Sequence, residues 1–341
     1  MINGLPVPAM FIDPNMQCVK ANLMAKDMFP LWHKGLDFSS VINEPVVLDI
    51  VRESIADGGV HDCEVVMGNR PQRIFQIRVN GKIRRNKKRR ILVVFYEVTE
   101  QRKLEKIRAA FVANVSHELR SPLTTLLGAI EAVHGMKDRN SDTATHFLDI
   151  MQGEADRMRL IVNDLLILSS TEAKAEIAPI GNINILPLIS EMINGLYIQA
   201  EKRKIEIKVD TPSTLPHVPA DAKEIVQVLH NLTDNAIKYS KQGSEIFIKA
   251  EQVMPCEDWP LGAVSVMCQN FGDVIPQDKI PRLTERFFRL DSSRSRDMGG
   301  TGLGLAIVKH IMNRHRGRLT INSSVEDGTK FTIFLPFRDK K

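Results

Sequence analysis

Phe111-Val-Ala-Asn-Val-Ser-His-Glu-Leu-Arg-Ser-Pro-Leu-Thr124 decides the architecture of this chain. Leading into it, Leu104, Ile107, Phe111 and Val115 fall at spacings of three, four and four, one apolar stripe on a helix that starts near Glu97. His117 lies on that helix with Glu118 directly after it, a carboxylate able to take or orient the Nδ1 proton and leave Nε2 nucleophilic. Pro122 has no N–H, so the Glu118 carbonyl loses its partner and a bend is expected there. A second helical pattern follows Asn140-Ser141-Asp142, with Ser141 or Asp142 as the expected N-cap. Phe147, Ile150, Met151, Met158, Ile161, Leu165 and Leu168 form its apolar face. Two such helices joined by a short connection make a hairpin that cannot bury both stripes alone. A homodimeric four-helix bundle is the expected solution.

The 341 residues are too many for one ordinary domain, and a hydrophobic fraction of 43% is enough for real cores. The formal charge of +5 is local in origin: Lys82, Arg84, Arg85, Lys87, Lys88, Arg89 and Arg90 crowd one short run, and without those seven the charge is −2. A nucleic-acid partner is therefore not expected from charge. Cys18, Cys63, Cys256 and Cys268 have neither metal-ligand nor redox-motif spacing and read as reduced thiols, two of them in cores. The N-terminus lacks a signal pattern, and no stretch approaches the roughly 18–20 apolar residues that span a bilayer. A cytoplasmic protein is expected, with membrane attachment only if a longer natural form carries an upstream segment.

Residues 1–98 are rich in short strand patterns: Val7 to Asp13 running into Pro14-Asn15, Phe75 to Val79 with period-two alternation, and the apolar run Ile91 to Tyr96. The basic run lies between the last two, with Asn80-Gly81 as an early turn signal, and reads as a hairpin loop that is either simply solvated or docks an anionic partner. From about residue 175, alternating segments at 204–209, 245–249, 264–268 and 330–334 interleave with helical patterns at 183–202, 221–239 and 303–315. Irregular interleaving predicts a two-layer α/β sandwich, so the whole chain is expected to be multidomain α+β.

Three further segments carry chemistry. Gln227-Val-Leu-His-Asn-Leu-Thr-Asp-Asn-Ala-Ile-Lys-Tyr239 places Asn231 and Asn235 four apart on one helix face, with Lys238 three beyond. Amide oxygens suit a hard Mg²⁺ that also keeps water and phosphate oxygens, and an ammonium can offset phosphate charge. Gly299-Gly-Thr-Gly-Leu-Gly-Leu-Ala-Ile-Val-Lys-His310 has glycines that let backbone N–H groups approach phosphates ahead of a helix start. Upstream lie Glu285-Arg-Phe-Phe-Arg289 and Asp291-Ser-Ser-Arg-Ser-Arg296.

In this order the segments resemble the boxes of sensor histidine kinases: the phosphoacceptor box around His117, the N box, the F box with its lid, and the G2 box. The resemblance implies three parts. Residues 99–174 would be the dimerisation and histidine phosphotransfer domain, and residues 175–341 a nucleotide-binding domain of the gyrase, chaperone and kinase (Bergerat) fold. Gly4 to Asp13, Ala21-Asn22 and the exit Tyr96-Glu-Val-Thr-Glu100 are similar to a PAS sensor, which would be residues 1–98. Among such kinases, order and sequence are most similar to the phosphate-responsive kinases of proteobacteria.

By the same resemblance, His117 is phosphorylated with help from Glu118, and Ser121, where the family has Thr or Asn, keeps a hydroxyl that could serve a phosphatase step. Asn231, Asn235, Lys238, Tyr239, Asn270, Gly272, Arg289, Arg294, Arg296, Gly300, Thr301, Gly302, Leu303 and Gly304 would bind the nucleotide, with Asn235 and Asn231 on Mg²⁺. The chain departs from the family after Val264-Ser-Val-Met-Cys268. Where Asp-x-Gly-x-Gly-Ile is expected it reads Asn270-Phe-Gly272-Asp-Val274-Ile. A neutral acceptor in place of the adenine-binding carboxylate should cost about 1–2 kcal/mol. Because an amide can also donate to a guanine carbonyl, GTP joins ATP as a candidate. The implied partner is a response regulator receiver domain. Two other readings stand beside this one: a degenerate kinase acting as scaffold or phosphatase, and a gyrase-like or chaperone-like ATPase, which leaves Ser116 to Pro122 unexplained.

Overall fold

Asn22 shows how the first strands and helix are tied together. Its buried side chain accepts from the Ala9 N–H at 3.0 Å, donates to the Val7 carbonyl at 2.7 Å and caps the next helix through the Ala25 N–H. In the computed structural model, residues 2–68, 71–85, 88–136, 142–290 and 300–338 are described. They form two compact units, Met1–Ala113 and Asn114–Lys341.

The first unit has strands β1 (Ala9–Ile12), β2 (Cys18–Ala21), β3 (Val60–Met67), β4 (Arg73–Arg85) and β5 (Lys88–Glu97). They form one antiparallel sheet in the order β2-β1-β5-β4-β3. Helices α1 (Leu23–Met28), α2 (Phe38–Val41) and α3 (Pro45–Asp57) lie in sequence between β2 and β3. Alternation sorts the strand residues: Ile91, Val93 and Phe95 join the main core with Phe38, Val47 and Val51, while Leu92 and Val94 pack with Ile2 and Ala9 on the other face.

The described part of the basic run is strand and not loop. Arg84 pairs with Arg89 and Arg85 with Lys88 across β4 and β5, and the register shifts between Asn80 and Ile83. Gly81 marks that irregularity and not a turn: a Cβ on it would lie 2.2 Å from the Ser54 carbonyl oxygen, so glycine is required for strand and helix to approach. Arg89 donates to that same carbonyl at 2.9 Å, closing the end of α3. Lys87, also in the run, lies outside the described residues.

Helix α4 (Thr99–His134) continues through Pro122 without interruption. The hydroxyls of Thr124 and Thr125 donate back to the carbonyls of Arg120 and Ser121 at 3.0 and 3.3 Å. Helix α5 (Asp142–Ala173) completes the hairpin, and Ser141, one of the two expected caps, lies outside the described residues. Much of the expected apolar stripe is open in the single chain: Leu104 is 66% exposed and Ile107 54%.

The remainder is the expected α/β sandwich. Strands β7 (Glu206–Asp210), β9 (Glu245–Val253), β10 (Ala263–Asn270), β11 (Arg318–Ser324) and β12 (Gly328–Pro336) form a sheet in the order β11-β12-β10-β9-β7, in which only β7 and β9 run parallel. Helices α6 (Ile185–Lys202), α7 (Ala222–Tyr239) and α8 (Gly304–Arg314) pack on it, and β6 (Asn182–Ile183) pairs with β8 (Val218–Pro219) beside them. Asp221 caps α7 by accepting from the Lys223 and Glu224 N–H groups. Cys18 and Cys268 are buried and all four thiols are free. Among the described residues no helix is long and apolar enough to cross a membrane.

Candidate functional site

His117 is exposed on α4. With Arg120, Ser121, Thr124 and Thr125 it lines an open depression of about 330 Å³. Their spacings of three, four, seven and eight from His117 put them all on one helix face. Pro122 and Ala129 point the other way and are buried. Glu118, expected to serve His117, is engaged elsewhere: its half-buried carboxylate accepts from Arg157 of α5 at 3.1 Å. That pair also sets the register of the hairpin.

The second group gathers around α7. Asn231 donates to the Gly304 carbonyl at 3.2 Å and accepts from Gln227 at 3.0 Å, so the N-box helix holds the start of α8. Lys238 is held by Asp234, one turn before it, at 2.7 Å. Tyr239 ends the helix, and its carbonyl faces Gly272 so closely that a Cβ there would sit 2.0 Å from the oxygen. A bridge between Ser240 and Gly272, and a bond from the Lys241 N–H to the Phe271 carbonyl, fasten the end of α7 to the turn after β10. Asn270, the last residue of β10, is only 3% exposed.

The loop before α8 is fixed from two sides. Gly302 has φ of 73° and accepts from the Phe287 N–H at 2.9 Å; a Cβ at Gly302 would lie 2.9 Å from the Phe287 Cα. Leu303 is fully buried, and its N–H donates to the Thr301 hydroxyl at 3.2 Å. Arg289 is half-buried beside this segment in sequence, Gly300 begins the described part of the loop, and Arg294, Arg296 and Gly299 lie outside the described residues. The structure thus brings together α7, the turn at 270–272, and the 285–289 and 300–304 stretches.

Sequence reading missed Asp234, Asp164 and Glu172. Asp234 was accessible from its spacing of four to Lys238. Nothing local marks the other two. Asp164 of α5 accepts from the Thr301 hydroxyl at 2.6 Å, and Glu172 pairs with Arg286 and with His310 at 3.3 Å. Burial pushes the Asp164 carboxyl up from its ordinary value, and it pushes His310 down. As to a metal, the described residues hold no group of three or more His, Cys, Asp or Glu side chains that could bind one. The donors at hand are amides, which fit a hard cation held mainly by phosphate and water; Asn235 suits this better than Asn231, whose amide is already paired twice.

Comparison with known proteins agrees with this arrangement. Residues 107–174 match the His Kinase A (phospho-acceptor) domain. Residues 220–339 match the histidine kinase-, DNA gyrase B-, and HSP90-like ATPase. The sensor histidine kinase WalK of Bacillus subtilis is 37% identical over 251 residues, covering 74% of this chain and 40% of that protein. The sensor protein kinase WalK of Staphylococcus aureus is 36% identical over 246 residues, covering 72% of this chain and 57% of that one. This chain therefore spans about half the length of such relatives. Among solved structures, the histidine kinase ThkA in complex with the response regulator protein TrrA aligns with a TM-score of 0.55 at 21% identity, over 98% of this chain and 96% of that one. Acinetobacter baumannii AdeS aligns at 0.51 and 24% identity, over 65% of this chain and 98% of that one. At these identities the likeness is one of fold. The kinship expected with proteobacterial phosphate-responsive kinases is corrected, since the relatives described above, at 36% and 37% identity, are WalK kinases. The boxes that suggested it are common to the whole family and do not separate its branches. A phosphoacceptor hairpin followed by this ATPase fold, with the same boxes in the same order, places the chain in the sensor histidine kinase family.

Proposed function

We propose that the chain uses a Mg²⁺-bound nucleoside triphosphate to phosphorylate His117 and then passes the phosphoryl group to an aspartate of a response regulator. The observation that carries this is the exposure of His117 on a helix face whose other side is buried, within the same unit as the gathered α7, 270–272 and 300–304 segments. His117 Nε2 attacks the γ-phosphorus, the β–γ bridging bond breaks, and the nucleoside diphosphate leaves. Glu118, oriented by Arg157, is the nearest carboxylate in sequence to receive the Nδ1 proton. Lys238 and Arg289, with Arg294 and Arg296, offset phosphate charge, and the backbone at Gly300, Gly302 and Gly304 admits the phosphates. Asn235 would hold Mg²⁺, which when bound supplies charge neutralisation to the phosphate oxygens. Tyr239, Asn270 and Gly272 line the base.

Residues 1–98 act in this proposal as a PAS-like sensor, residues 99–174 as the dimerising phosphoacceptor domain and residues 175–341 as the catalytic domain. The antiparallel sheet with its inserted helices supports the first assignment. The open stripe on α4 supports homodimerisation. We place the protein in the cytoplasm, with any membrane segment belonging to a longer form. The depression around His117 with Ser121 on its rim suits docking of a receiver domain and, as a second activity, dephosphorylation of it; ThkA has been solved with such a regulator.

The test is labelling of the whole chain with γ-labelled ATP and, in parallel, γ-labelled GTP, with His117→Ala as control. Acid-labile label lost in the control is expected. Asn270→Asp should raise the preference for ATP about five- to thirtyfold. Nucleotide binding without label on His117, alongside tight regulator binding, would favour the scaffold or phosphatase reading instead.

A further inference from the structure

Helix α5 does more than complete the hairpin, because its C-terminal half packs on α8 of the ATPase fold. Ile161, Leu168 and Thr171 are buried there, and Asp164 and Glu172 fall on the same stripe at helical spacing. Those two carboxylates hold both flanks of the glycine-rich loop. Asp164 takes the Thr301 hydroxyl at 2.6 Å, and Glu172 takes Arg286 and His310.

The position of these contacts is informative. Arg157 meets Glu118 at 3.1 Å, so Arg157 is level with the residue next to His117. Asp164 lies seven residues farther along α5, roughly 10 Å down the helix axis at 1.5 Å per residue. Phosphoryl transfer needs the reacting atoms about 3–3.5 Å apart. With Thr301 tied to Asp164, the loop is parked about two turns away from the level of His117.

The chemistry of the contact opposes nucleotide as well. Thr301 and Lys238 are among the groups that would meet phosphate, yet the first donates to Asp164 and the second is paired with Asp234. Asp164 is half-buried; burial raises its pKa, the Thr301 hydroxyl and then Lys238 offset this, and Asp234 adds to it. A triphosphate entering here brings further negative charge against two half-buried carboxylates.

We propose that Asp164 is the latch of a parked, autoinhibited state, in which its carboxylate competes with nucleotide phosphate for Thr301 and must release it before transfer to His117. This rests on the kinase reading above, and it assigns that site a regulatory contact within the same chain.

The experiment uses the full chain with Asp164→Ala and Asp164→Asn, the second keeping size and an acceptor oxygen while removing the charge. Amide hydrogen exchange across residues 300–310 without nucleotide, and binding of a non-hydrolysable ATP analogue, are measured beside His117 labelling. Asp164→Ala should speed exchange in this segment, and both variants should tighten analogue binding by about three- to tenfold and accelerate labelling similarly. Exchange and analogue binding unchanged from wild type would overturn the latch. So would weaker binding or slower labelling, which would make the contact part of the productive site. Wild-type chain that fails to label would sink the kinase reading alone, because exchange and binding still decide the latch. Should Asp164→Ala unfold, Asp164→Asn and Glu172→Gln carry the same comparison.

Discussion

Replacing Gly272 by alanine tests the closest approach in the candidate nucleotide site. The added Cβ would lie 2.0 Å from the Tyr239 carbonyl oxygen and 3.1 Å from its carbon. Ordinary contact needs about 3.4 Å, so the turn after β10 and the end of α7 must separate by about 1.4 Å. Neither side is free to move. The Ser240–Gly272 bridge and the Lys241 to Phe271 bond at 3.0 Å span the gap, and Arg203 donates to the carbonyls of both Lys238 and Ser240. Overpacking of this kind costs about 1–3 kcal/mol, and losing the Lys241 bond adds about 1 kcal/mol. Taking about 2–3 kcal/mol for the total, a domain of this size should melt about 4–12 °C lower.

Trp259, stacked on Phe334 at 5.8 Å, reports on this domain. The other of the two tryptophans, Trp32, belongs to the first unit, so a Trp32→Phe background isolates the signal. Gly195→Ala is the matched control: it lies in α6 with nothing within 4 Å of the added Cβ, and should stabilise by about 0.5–1 kcal/mol. Melting of Gly272→Ala within about 1 °C of the parent, or upward with Gly195→Ala, would refute the reasoning.

Two further outcomes are expected. His315 is buried and neutral in geometry, donating from Nδ1 to the Ile311 carbonyl at 2.8 Å and accepting at Nε2 from the Asp221 N–H at 3.1 Å. Burial holds its pKa below the ordinary histidine value of 6.5, so the unfolded chain takes up the proton first. Its contribution is full above about 6.5 and declines as pH falls below that, by at most about 1.4 kcal/mol per pH unit. Denaturant midpoints at pH 7.5 and 5.5 should differ less in His315→Gln than in the parent, and an equal difference would exclude the effect. Ile107→Asp puts a charge on the open α4 stripe, where Ile107 is 54% exposed; light scattering should show this variant monomeric and the parent dimeric.

The parts legible in sequence were those whose information is local. The helical stretches read at 183–202, 221–239 and 303–315 are Ile185–Lys202, Ala222–Tyr239 and Gly304–Arg314, because long apolar periods with polar boundaries specify a helix unaided. The strands with period-two alternation, such as the one at Glu245–Val253, were equally readable. The short helices α1 and α2 were not, since four to six residues hold too little of a period; they depend on caps such as Asn22 and Asp37. Gly81 misled for a related reason: its glycine serves a contact with Ser54, and a dipeptide cannot distinguish close approach from a turn. The same divide runs through the site. Lys238 and Asp234 are one turn apart, whereas Thr301 and Asp164 are separated by 137 residues and meet only after the chain has folded.

The unbroken course of α4 has a consequence in angular terms. Within the second unit, the helical residues from Asn114 to His134 make a rod of about 32 Å, with Pro122 one turn beyond His117 and no break before it. In such a rod the direction faced by His117 is locked to the direction faced by the buried Ala129. One inserted residue between them would swing the imidazole by about 100°, while seven would return it to within about 20° of its starting bearing. The phosphoacceptor's aim is thus a modular quantity, counted in residues and read modulo the heptad.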